Sequence, residues 1–144
     1  MWVQREITVY KKSRGFHLIT DVVIESLPEL GNFNIGILQL FIKHTSASLT
    51  INENTEKSVR DDFESHFNKM VPEENQYYTH TLEGEDDMPA HLKSSIIGSS
   101  LSIPIKNGNL NLGIWQGVYL CEHRNKISER IITATINGEE VSSF

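Results

Sequence analysis

The sequence is 144 residues long, with 13 lysine and arginine residues, 19 aspartate and glutamate residues, and a formal net charge of −6. A chain of this length buries enough apolar surface for one hydrophobic core, so we expect a single domain over residues 1–144. The acidic balance argues against nucleic acid and acidic membrane surfaces as partners, because both require a basic patch. A small molecule or another protein is the better expectation.

One cysteine, Cys121, excludes an internal disulfide and any zinc site built from paired cysteines. No stretch reaches the roughly twenty apolar residues of a membrane helix, and the charged N-terminal stretch differs from a signal peptide. We therefore predict a cytoplasmic protein. We also expect Cys121 to be a buried packing residue.

Alternating apolar and polar residues predict strands through most of the first part of the chain. Residues 3–10 and 16–20 both show this alternation and predict an antiparallel hairpin. A short helix is predicted over residues 21–27, with Asp21 as its cap. The nearly continuous apolar run at residues 35–43 predicts a central strand that is covered on both faces.

The middle of the chain predicts a further strand at residues 47–52 and two helices. The first helix is ended by Pro72. Its predicted apolar face consists of Val59, Phe63, Phe67 and Met70. The second helix spans residues 88–97, with Asp87 as its N-cap. His91 then lies one turn beyond Asp87 on the same side of the helix.

The C-terminal part of the chain returns to strand patterns, at residues 100–105, 113–122 and 130–137. Asn107 and Gly108 form the kind of dipeptide that makes a tight hairpin turn. About seven strands, mostly joined by short turns, and two or three helices predict a β-rich α+β fold. The expected architecture is an antiparallel or mixed β-sandwich with the helices packed outside it.

Polar residues cluster at residues 44–46, 80–91 and 122–124, each at the end of a predicted strand or the start of a helix. Strand ends and loops are where a rigid scaffold holds functional groups. We therefore expect the three clusters to converge on one site.

A metal site is one hypothesis for these clusters. His44, His91 and His123 would supply three neutral imidazoles to zinc and leave a fourth position open for substrate or water. His80 can replace one of them. A single histidine is more often an ordinary hydrogen-bonded residue than a ligand, so spacing alone does not decide the set.

The loop before the second helix carries four carboxylates, from Glu83, Glu85, Asp86 and Asp87. Asp86 or Asp87 can orient a ligating imidazole or bind magnesium directly, and both can also be simple capping residues. The free N–H groups at the helix start favour a phosphate, whereas the four carboxylates repel one. A divalent cation between them resolves this conflict. No organic cofactor is expected.

Trp115 and Arg124 have two interpretations each. Trp115 is more often a core residue than a stacking platform, and Gln116 beside it can contact the edge of a heteroaromatic ring. Arg124 can pair with Glu122 across solvent, a contact of about 0–1 kcal/mol, or bind a phosphate or carboxylate through two hydrogen bonds.

Three long motifs resemble the YjbQ family. They are HTSASLTINEN at 44–54, EGEDDMPAHLKSSIIGSSL at 83–101 and GIWQGVYLCEHR at 113–124. The opening KSRGFHLIT at 12–20 and the closing RIITATINGEE at 130–140 are similar as well. The resemblance therefore covers essentially the whole chain.

This resemblance implies a compact β-sandwich with outer helices, assembled as a homotrimer, with its polar motif residues in a site near the subunit interface. It also implies a weak, secondary thiamine-phosphate synthase activity. That reaction joins an aminopyrimidine diphosphate to a thiazole phosphate and releases pyrophosphate. The main task of the family is unsettled.

When the motifs are matched residue by residue, the resemblance implies two sets of site residues. The catalytic set is His44, Asp86, Asp87, His91 and His123. The substrate-binding set is Asn52, Asn54, His80, Trp115, Gln116, Glu122 and Arg124. In the implied mechanism a divalent ion held by Asp86 or Asp87, with help from Arg124, neutralises the departing pyrophosphate, and Trp115 stacks on the pyrimidine.

Two other functions remain open at this stage. One is a metal-dependent hydrolase that uses a three-histidine zinc site. The other is a non-catalytic trimeric protein that binds a phosphorylated metabolite.

Overall fold

Over the described residues 1–142 of the computed structural model, eight strands form two antiparallel sheets accompanied by three helices. The strands are β1 (Trp2–Val9), β2 (Gly15–Leu18), β3 (Phe33–Ile42), β4 (Ala47–Glu53), β5 (Ser100–Lys106), β6 (Asn109–Leu110), β7 (Gln116–Glu122) and β8 (Arg130–Glu140). The helices are α1 (Thr20–Glu25), α2 (Lys57–Met70) and α3 (Asp87–Ile97), and a 3-10 helix spans Pro28–Asn32.

The larger sheet has the strand order β1-β8-β3-β5-β6, and the smaller sheet has the order β2-β7-β4. The predicted hairpin between β1 and β2 is therefore wrong, because β1 pairs with β8 and β2 pairs with β7. Burial explains the separation. Ile7 of β1 lies in the core between the sheets, whereas Phe16 of β2 packs against aromatic side chains of α2.

The main core fills the space between the two sheets, and the period-two alternation of each strand supplies it. Its strand residues include Ile7, Val9, Leu38, Leu40, Ile42, Leu49, Ile103, Ile105, Val118, Leu120, Ile132, Ala134 and Ile136. Full burial of one large aliphatic side chain contributes about 1.5–3 kcal/mol. The predicted β-rich sandwich with outer helices is confirmed.

Helices α2 and α3 cover the outer face of the smaller sheet. The ring of Phe16 lies 5.3 Å from that of Phe63 and 5.8 Å from that of Phe67, which confirms the inner face of α2 at these two positions. Met70, predicted on the same face, is instead 47% exposed at the helix end. Cys121 is fully buried beneath the helices, and burial raises the pKa of its thiol to about 12.

The larger sheet has no helix on its outer face in the part of the chain that the structure describes. Ile35, Ile37 and Phe41 of β3 point outward and are 60%, 54% and 50% exposed. The prediction that this strand is covered on both faces is therefore wrong for a single chain. Trp2 of β1, which is 73% exposed, lies in the same cross-strand row as Ile37.

Two local predictions have opposite outcomes. Asn107 and Gly108 have φ angles of 51° and 76° and make the predicted tight turn between β5 and β6. Asp21 does not cap α1, because the helix begins one residue earlier and Asp21 falls within its first turn.

None of the helices in residues 1–142 is long and apolar enough to span a membrane.

Candidate metal centre

The three polar clusters meet at the end of the smaller sheet where β4 begins and β7 ends. The register pairs Ala47 with Glu122, so the segments before β4 and after β7 leave the sheet together. Helix α3 packs on this end, where the Ser94 hydroxyl donates a 2.6 Å hydrogen bond to the Ala47 carbonyl. The N-terminus of α3 and its preceding loop therefore lie beside residues 44–46 and 122–124.

Asp87 is the centre of this site. Its Oδ2 lies 2.6 Å from His80 Nε2 and 3.1 Å from His91 Nε2. Its Oδ1 accepts a 2.5 Å hydrogen bond from Nη1 of Arg124. The Asp87 side chain is 2% exposed, whereas those of His80 and His91 are 45% and 31% exposed. The carboxylate is thus buried behind two imidazoles that reach solvent.

Asp86 holds Arg124 in place from the other side. Its Oδ2 accepts hydrogen bonds of 2.9 Å from Arg124 Nε and 2.8 Å from the Asn125 backbone N–H. The Glu83 carbonyl accepts a third side-chain hydrogen bond from Arg124, at 2.9 Å. The guanidinium is therefore occupied by the protein itself rather than free to grip a ligand.

Both carboxyl groups are ionised more readily than usual. Burial raises the pKa of Asp86, but hydrogen bonds from Asn125 and Arg124 outweigh it and leave that pKa below its ordinary value. Burial acts the same way on Asp87. There the hydrogen bond from His80 and the positive charges of His91 and Arg124 bring the net pKa below its ordinary value.

The start of α3 differs from the prediction in a way that matters for the site. Asp86, not Asp87, occupies the N-cap position, and its side chain makes no capping hydrogen bond. Asp87 is the first helical residue. The predicted spacing to His91 is confirmed, because the two side chains meet across one helical turn. The two carboxylates are used for the histidines and Arg124 rather than for the helix end.

The hydrogen bonding of His91 indicates that a cation lies between its ring and the Asp87 carboxylate. His91 Nδ1 lies 2.9 Å from the Thr45 carbonyl, which can only accept, so Nδ1 carries a hydrogen. In a neutral ring Nε2 then presents a lone pair toward the Asp87 carboxylate. Two facing lone pairs require a cation between them, either a proton on the ring or a metal ion.

Within residues 1–142, one group of metal-ligating side chains has its atoms within 4.8 Å of one another: His80, Asp87 and His91. Two imidazoles and one carboxylate suit zinc and other divalent transition metals better than magnesium. The contact from His91 Nδ1–H to a backbone carbonyl is the usual outer support of a metal-bound histidine. Arg124 likewise fixes the second oxygen of Asp87.

His44 does not join this group, contrary to the proposed triad with His91 and His123. Its Nε2 accepts a 2.8 Å hydrogen bond from the Ile131 backbone N–H, so Nδ1 must carry the hydrogen in the neutral ring. No lone pair then remains for a metal. Burial, with a smaller contribution from the positive charge of Arg130, lowers the pKa of His44 and favours this neutral form.

His123 and Glu122 lie inside the protein. His123 is 1% exposed, its Nε2 is 2.8 Å from the Ser48 hydroxyl, and burial lowers its pKa to about 3. Glu122 is fully buried and pairs with Arg130, not Arg124, through contacts of 2.8 and 2.5 Å. Neither side chain is placed to touch a ligand from solvent.

The remaining predicted residues lie at the opposite end of the smaller sheet. Three of them, Asn54, Trp115 and Gln116, lie at the start of β7. With a rise of ~3.3 Å per residue, this is about 20 Å from the other end of the strand. The Asn54 amide donates to the carbonyls of Ile114 and Gln116. Asn52, near the end of β4, accepts from the Glu53 N–H through its side chain. Within one chain, the predicted site residues therefore form two separate groups, one at each end of the smaller sheet.

Trp115 is 62% exposed, so its interpretation as a core residue is wrong. The Gln116 side chain accepts a 2.7 Å hydrogen bond from the Gly113 N–H and supports the loop that carries this indole. Within one chain, Trp115 cannot stack on a substrate that is bound at His80 and His91.

The roles of two residues at this end were missed. Thr45 belongs to the predicted polar cluster at 44–46, but it acts through its backbone carbonyl, which leaves no side-chain signal in a sequence. Arg130 begins β8 and carries a charge on the buried face, where its side chain also donates to the Ser46 hydroxyl at 3.0 Å. The sequence did carry a signal for Arg130, because it occupies the same alternate positions of β8 as the core residues of that strand.

A large cleft of about 630 Å³ adjoins the same end of the sheet. Arg14 lies in it and is paired with Glu64 and Glu73. The Arg14 side chain also donates to Asn125, whose backbone N–H binds Asp86, so the cleft and the metal centre share a wall. The charge of Arg14 is neutralised within the protein.

The protein is thus a two-sheet β-sandwich with a histidine–aspartate cluster at one end. The family model described as "UPF0047 protein YjbQ-like" matches residues 5–139. The chain belongs to this family, as the resemblance of its motifs predicted. A relative named UPF0047 protein YjbQ from Salmonella typhimurium is 52% identical over 139 residues, covering 96% of this chain and all of the relative.

Another relative and two solved structures are less similar in sequence. The UPF0047 protein YugU of Bacillus subtilis is 39% identical over 104 residues, covering 72% of this chain and 76% of the relative. A crystal structure of an uncharacterised YjbQ/UPF0047 protein from Clostridium acetobutylicum superposes with a TM-score of 0.81 at 34% identity, covering 92% of this chain and 99% of that one. A YjbQ-like protein of unknown function from Sulfolobus solfataricus gives 0.80 at 26% identity, with coverages of 96% and 99%.

Proposed function

We propose that this chain is an enzyme that uses one divalent transition metal to act on a phosphorylated small molecule. The observation that carries the proposal is the cluster of His80, Asp87 and His91, with the Nε2 of His91 directed at the Asp87 carboxylate. Three protein ligands leave open positions at which substrate or water can bind, as catalytic metal sites require.

The charges around the cluster support a phosphate as the group that binds. A bound ion of charge +2 and Arg124 together outweigh the two buried carboxylates, Asp86 and Asp87, while Glu83 and Glu85 are exposed to solvent, where their charges are screened. The ion therefore removes the conflict between an acidic loop and an anionic substrate. The metal supplies a Lewis acid for phosphate oxygens when bound, while Arg124 and the Thr45 carbonyl hold the ligands in position.

We further propose that thiamine-phosphate synthesis is a secondary reaction of this centre. The reaction breaks the bond between the pyrimidine methylene carbon and its diphosphate oxygen, and the thiazole nitrogen forms a bond to that carbon. Pyrophosphate departs with the electron pair. The centre would assist by neutralising this leaving group, while stacking by Trp115 of the same chain is not part of the proposal.

The test is thiamine-phosphate formation from the two phosphorylated precursors, with and without a chelator. We expect Asp87→Asn and His91→Ala to lose at least about tenfold in turnover while remaining folded, as judged by circular dichroism. His66→Ala, which changes an exposed histidine of α2, is the matched control. Full activity in the folded Asp87 and His91 variants, or after metal removal, would exclude this reaction from the centre.

A hydrolase is the second candidate, and the same open coordination positions favour it. His80, Asp87 and His91 would hold the metal, which would supply a hydroxide nucleophile near neutral pH for attack on a phosphate ester. Release of inorganic phosphate from phosphate monoesters by the metal-loaded protein distinguishes hydrolysis from synthesis. Saturable binding without phosphate release or synthesis would instead identify a non-catalytic binding protein.

We also propose that the exposed face of the larger sheet joins copies of this chain, in the homotrimer that the family resemblance implies. The support is that three large apolar side chains of β3, Ile35, Ile37 and Phe41, are at least half exposed on this face, with Gln39 between the last two; exposed apolar surface of this kind marks interaction sites. Light scattering should show a trimer that Ile37→Glu disrupts. Met70→Glu, at an exposed methionine of α2 on the opposite side of the sandwich, should leave the mass unchanged. A monomeric wild-type protein would refute the proposal.

A further inference from the structure

A polar pocket of about 290 Å³ lies next to the proposed metal centre. Its lining residues are His44, Thr45, His91, Ser94, Ser95, Gly98 and Ser99. His91 belongs both to this lining and to the metal cluster. A ligand in the pocket therefore has the metal centre at one side. The volume is near the lower end of the roughly 300–1,000 Å³ of small-molecule sites, which fits a ligand with a few carbon atoms.

The lining offers both hydrogen-bond donors and acceptors. The bond that His44 accepts from Ile131 leaves its Nδ1–H as a fixed donor. The hydroxyls of Ser95 and Ser99 make no hydrogen bond within residues 1–142 and can donate or accept. Gly98 marks the C-terminal end of α3, where helix carbonyls carry partial negative charge.

No lysine, arginine, aspartate or glutamate lines this pocket. An anion would find no cationic side chain and would face the negative end of α3, while a cation would find no carboxylate. An apolar group would leave His44 and the two serine hydroxyls without partners, which costs free energy. An uncharged group with several hydroxyls satisfies all of these conditions.

We infer that this pocket binds the uncharged, hydroxyl-rich part of a phosphorylated substrate whose phosphate is bound at the neighbouring metal centre. The inference rests on the proposed function for the phosphate, and it adds the class of the main substrate, a phosphorylated polyol or sugar. Neither precursor of thiamine phosphate has a polyol group. The pocket is therefore used by the main substrate and not by the precursors of thiamine phosphate. His44, which lines it, determines specificity for the main substrate.

The first experiment compares glycerol 3-phosphate with n-propyl phosphate, which has the same carbon chain without hydroxyls. Calorimetry on the zinc-loaded protein should show roughly tenfold tighter binding of glycerol 3-phosphate, the effect of one to two net hydrogen bonds. His44→Phe and Ser99→Ala should each reduce this ratio by about threefold or more. Ser65→Ala, on the exposed side of α2, should preserve it. Equal affinities for the two probes in the wild-type protein would overturn the inference.

A second experiment is independent of metal. Chelated protein is titrated with glycerol and with 1-propanol while the backbone amide resonances of residues 44, 45, 95, 98 and 99 are followed by NMR. Glycerol should shift these resonances selectively, and equal shifts with 1-propanol would overturn the inference. If zinc does not bind but glycerol shifts them selectively, the metal centre is wrong and the pocket stands. If zinc binds but both probes behave alike, the pocket is wrong and the metal centre stands.

Discussion

The two ends of the smaller sheet use polar residues in opposite ways. At the end formed by the start of β4 and the end of β7, Asp86, Asp87, Glu122, Arg124 and Arg130 form ion pairs that are largely buried. At the other end, the side-chain amides of Asn54 and Gln116 bond to nearby backbone groups, and the Trp115 indole extends into solvent.

This difference separates charged residues that form a buried cluster from amides that support a loop. A carboxylate such as Asp87 keeps its charge when buried only if cations surround it, so its neighbours must be fixed together. An amide such as Asn54 carries no charge and needs only hydrogen-bond partners. We therefore expect substitutions at the metal-centre end to have large, coupled effects and those at the amide end to have small, local ones.

The largest effect is expected at Glu122. Glu122→Gln leaves the charge of Arg130 buried without its partner, and the loss should be about 3–5 kcal/mol in the free energy of unfolding. Urea denaturation measures it. Glu6→Gln is the control, since it breaks an exposed pair with Lys43 and should cost about 0–1 kcal/mol. Equal losses in the two variants would show that burial does not set the strength of these pairs.

Zinc binding gives the next largest effect and distinguishes the cluster of His80, Asp87 and His91 from the triad of His44, His91 and His123 that the sequence suggested. Calorimetry should find one zinc per chain in the wild-type protein. Asp87→Asn and His91→Ala should weaken binding by at least about 100-fold, more than the 10–100-fold typical of outer-shell residues. His44→Gln should bind zinc within about threefold of wild type. A loss at His44 as large as that at Asp87 would restore the triad that includes His44.

How far the sequence predicted this end depends on which interactions are local. The contact between Asp87 and His91 follows from helical spacing, and it was predicted. Glu122 and Arg130 are only eight residues apart, but they lie on strands of different sheets, so neither helical nor strand periodicity predicts their pairing. His44 was assigned to a metal because its residue type allows it. Only the fold reveals that the Ile131 N–H already occupies its lone pair.

The same distinction applies to the fold. Periodicity predicted most strands, and the Asn107–Gly108 dipeptide predicted its turn. Strand pairing was predicted wrongly for β1 and β2, because adjacent strands in a chain usually pair and here they belong to different sheets. The exposure of Trp115 was also missed, since a tryptophan after an apolar residue has no local signal that separates core from surface.

Between pH 7 and pH 5, the pH dependence of stability is a smaller effect, and it again contrasts buried and exposed groups. The buried His123 has a pKa lowered to about 3, so it stays neutral in the folded protein, while the unfolded chain takes up a proton below about pH 6.5. Its contribution should lower the free energy of unfolding by up to about 1.4 kcal/mol per pH unit from about pH 6.5 down to about 3.

Urea denaturation at pH 7, 6 and 5 measures this slope. His123→Asn should reduce it, with the exposed His66→Asn as the control. If His123→Asn does not fold, NMR of the wild-type His123 ring should show it unprotonated at pH 5. A protonated His123 ring at that pH, or an unchanged slope in the folded variant, would contradict the assignment of this pH dependence to His123.

Trp115→Ala should have the smallest effect of the series, because the indole is 62% exposed and lies about 20 Å along β7 from the metal-centre end. Zinc affinity should stay within about threefold of wild type, and the free energy of unfolding should change by no more than about 0.5 kcal/mol. If this variant instead loses activity as severely as Asp87→Asn while still binding zinc, the two ends act on one substrate. Since a single chain keeps them apart, Trp115 would then reach the centre of a neighbouring copy.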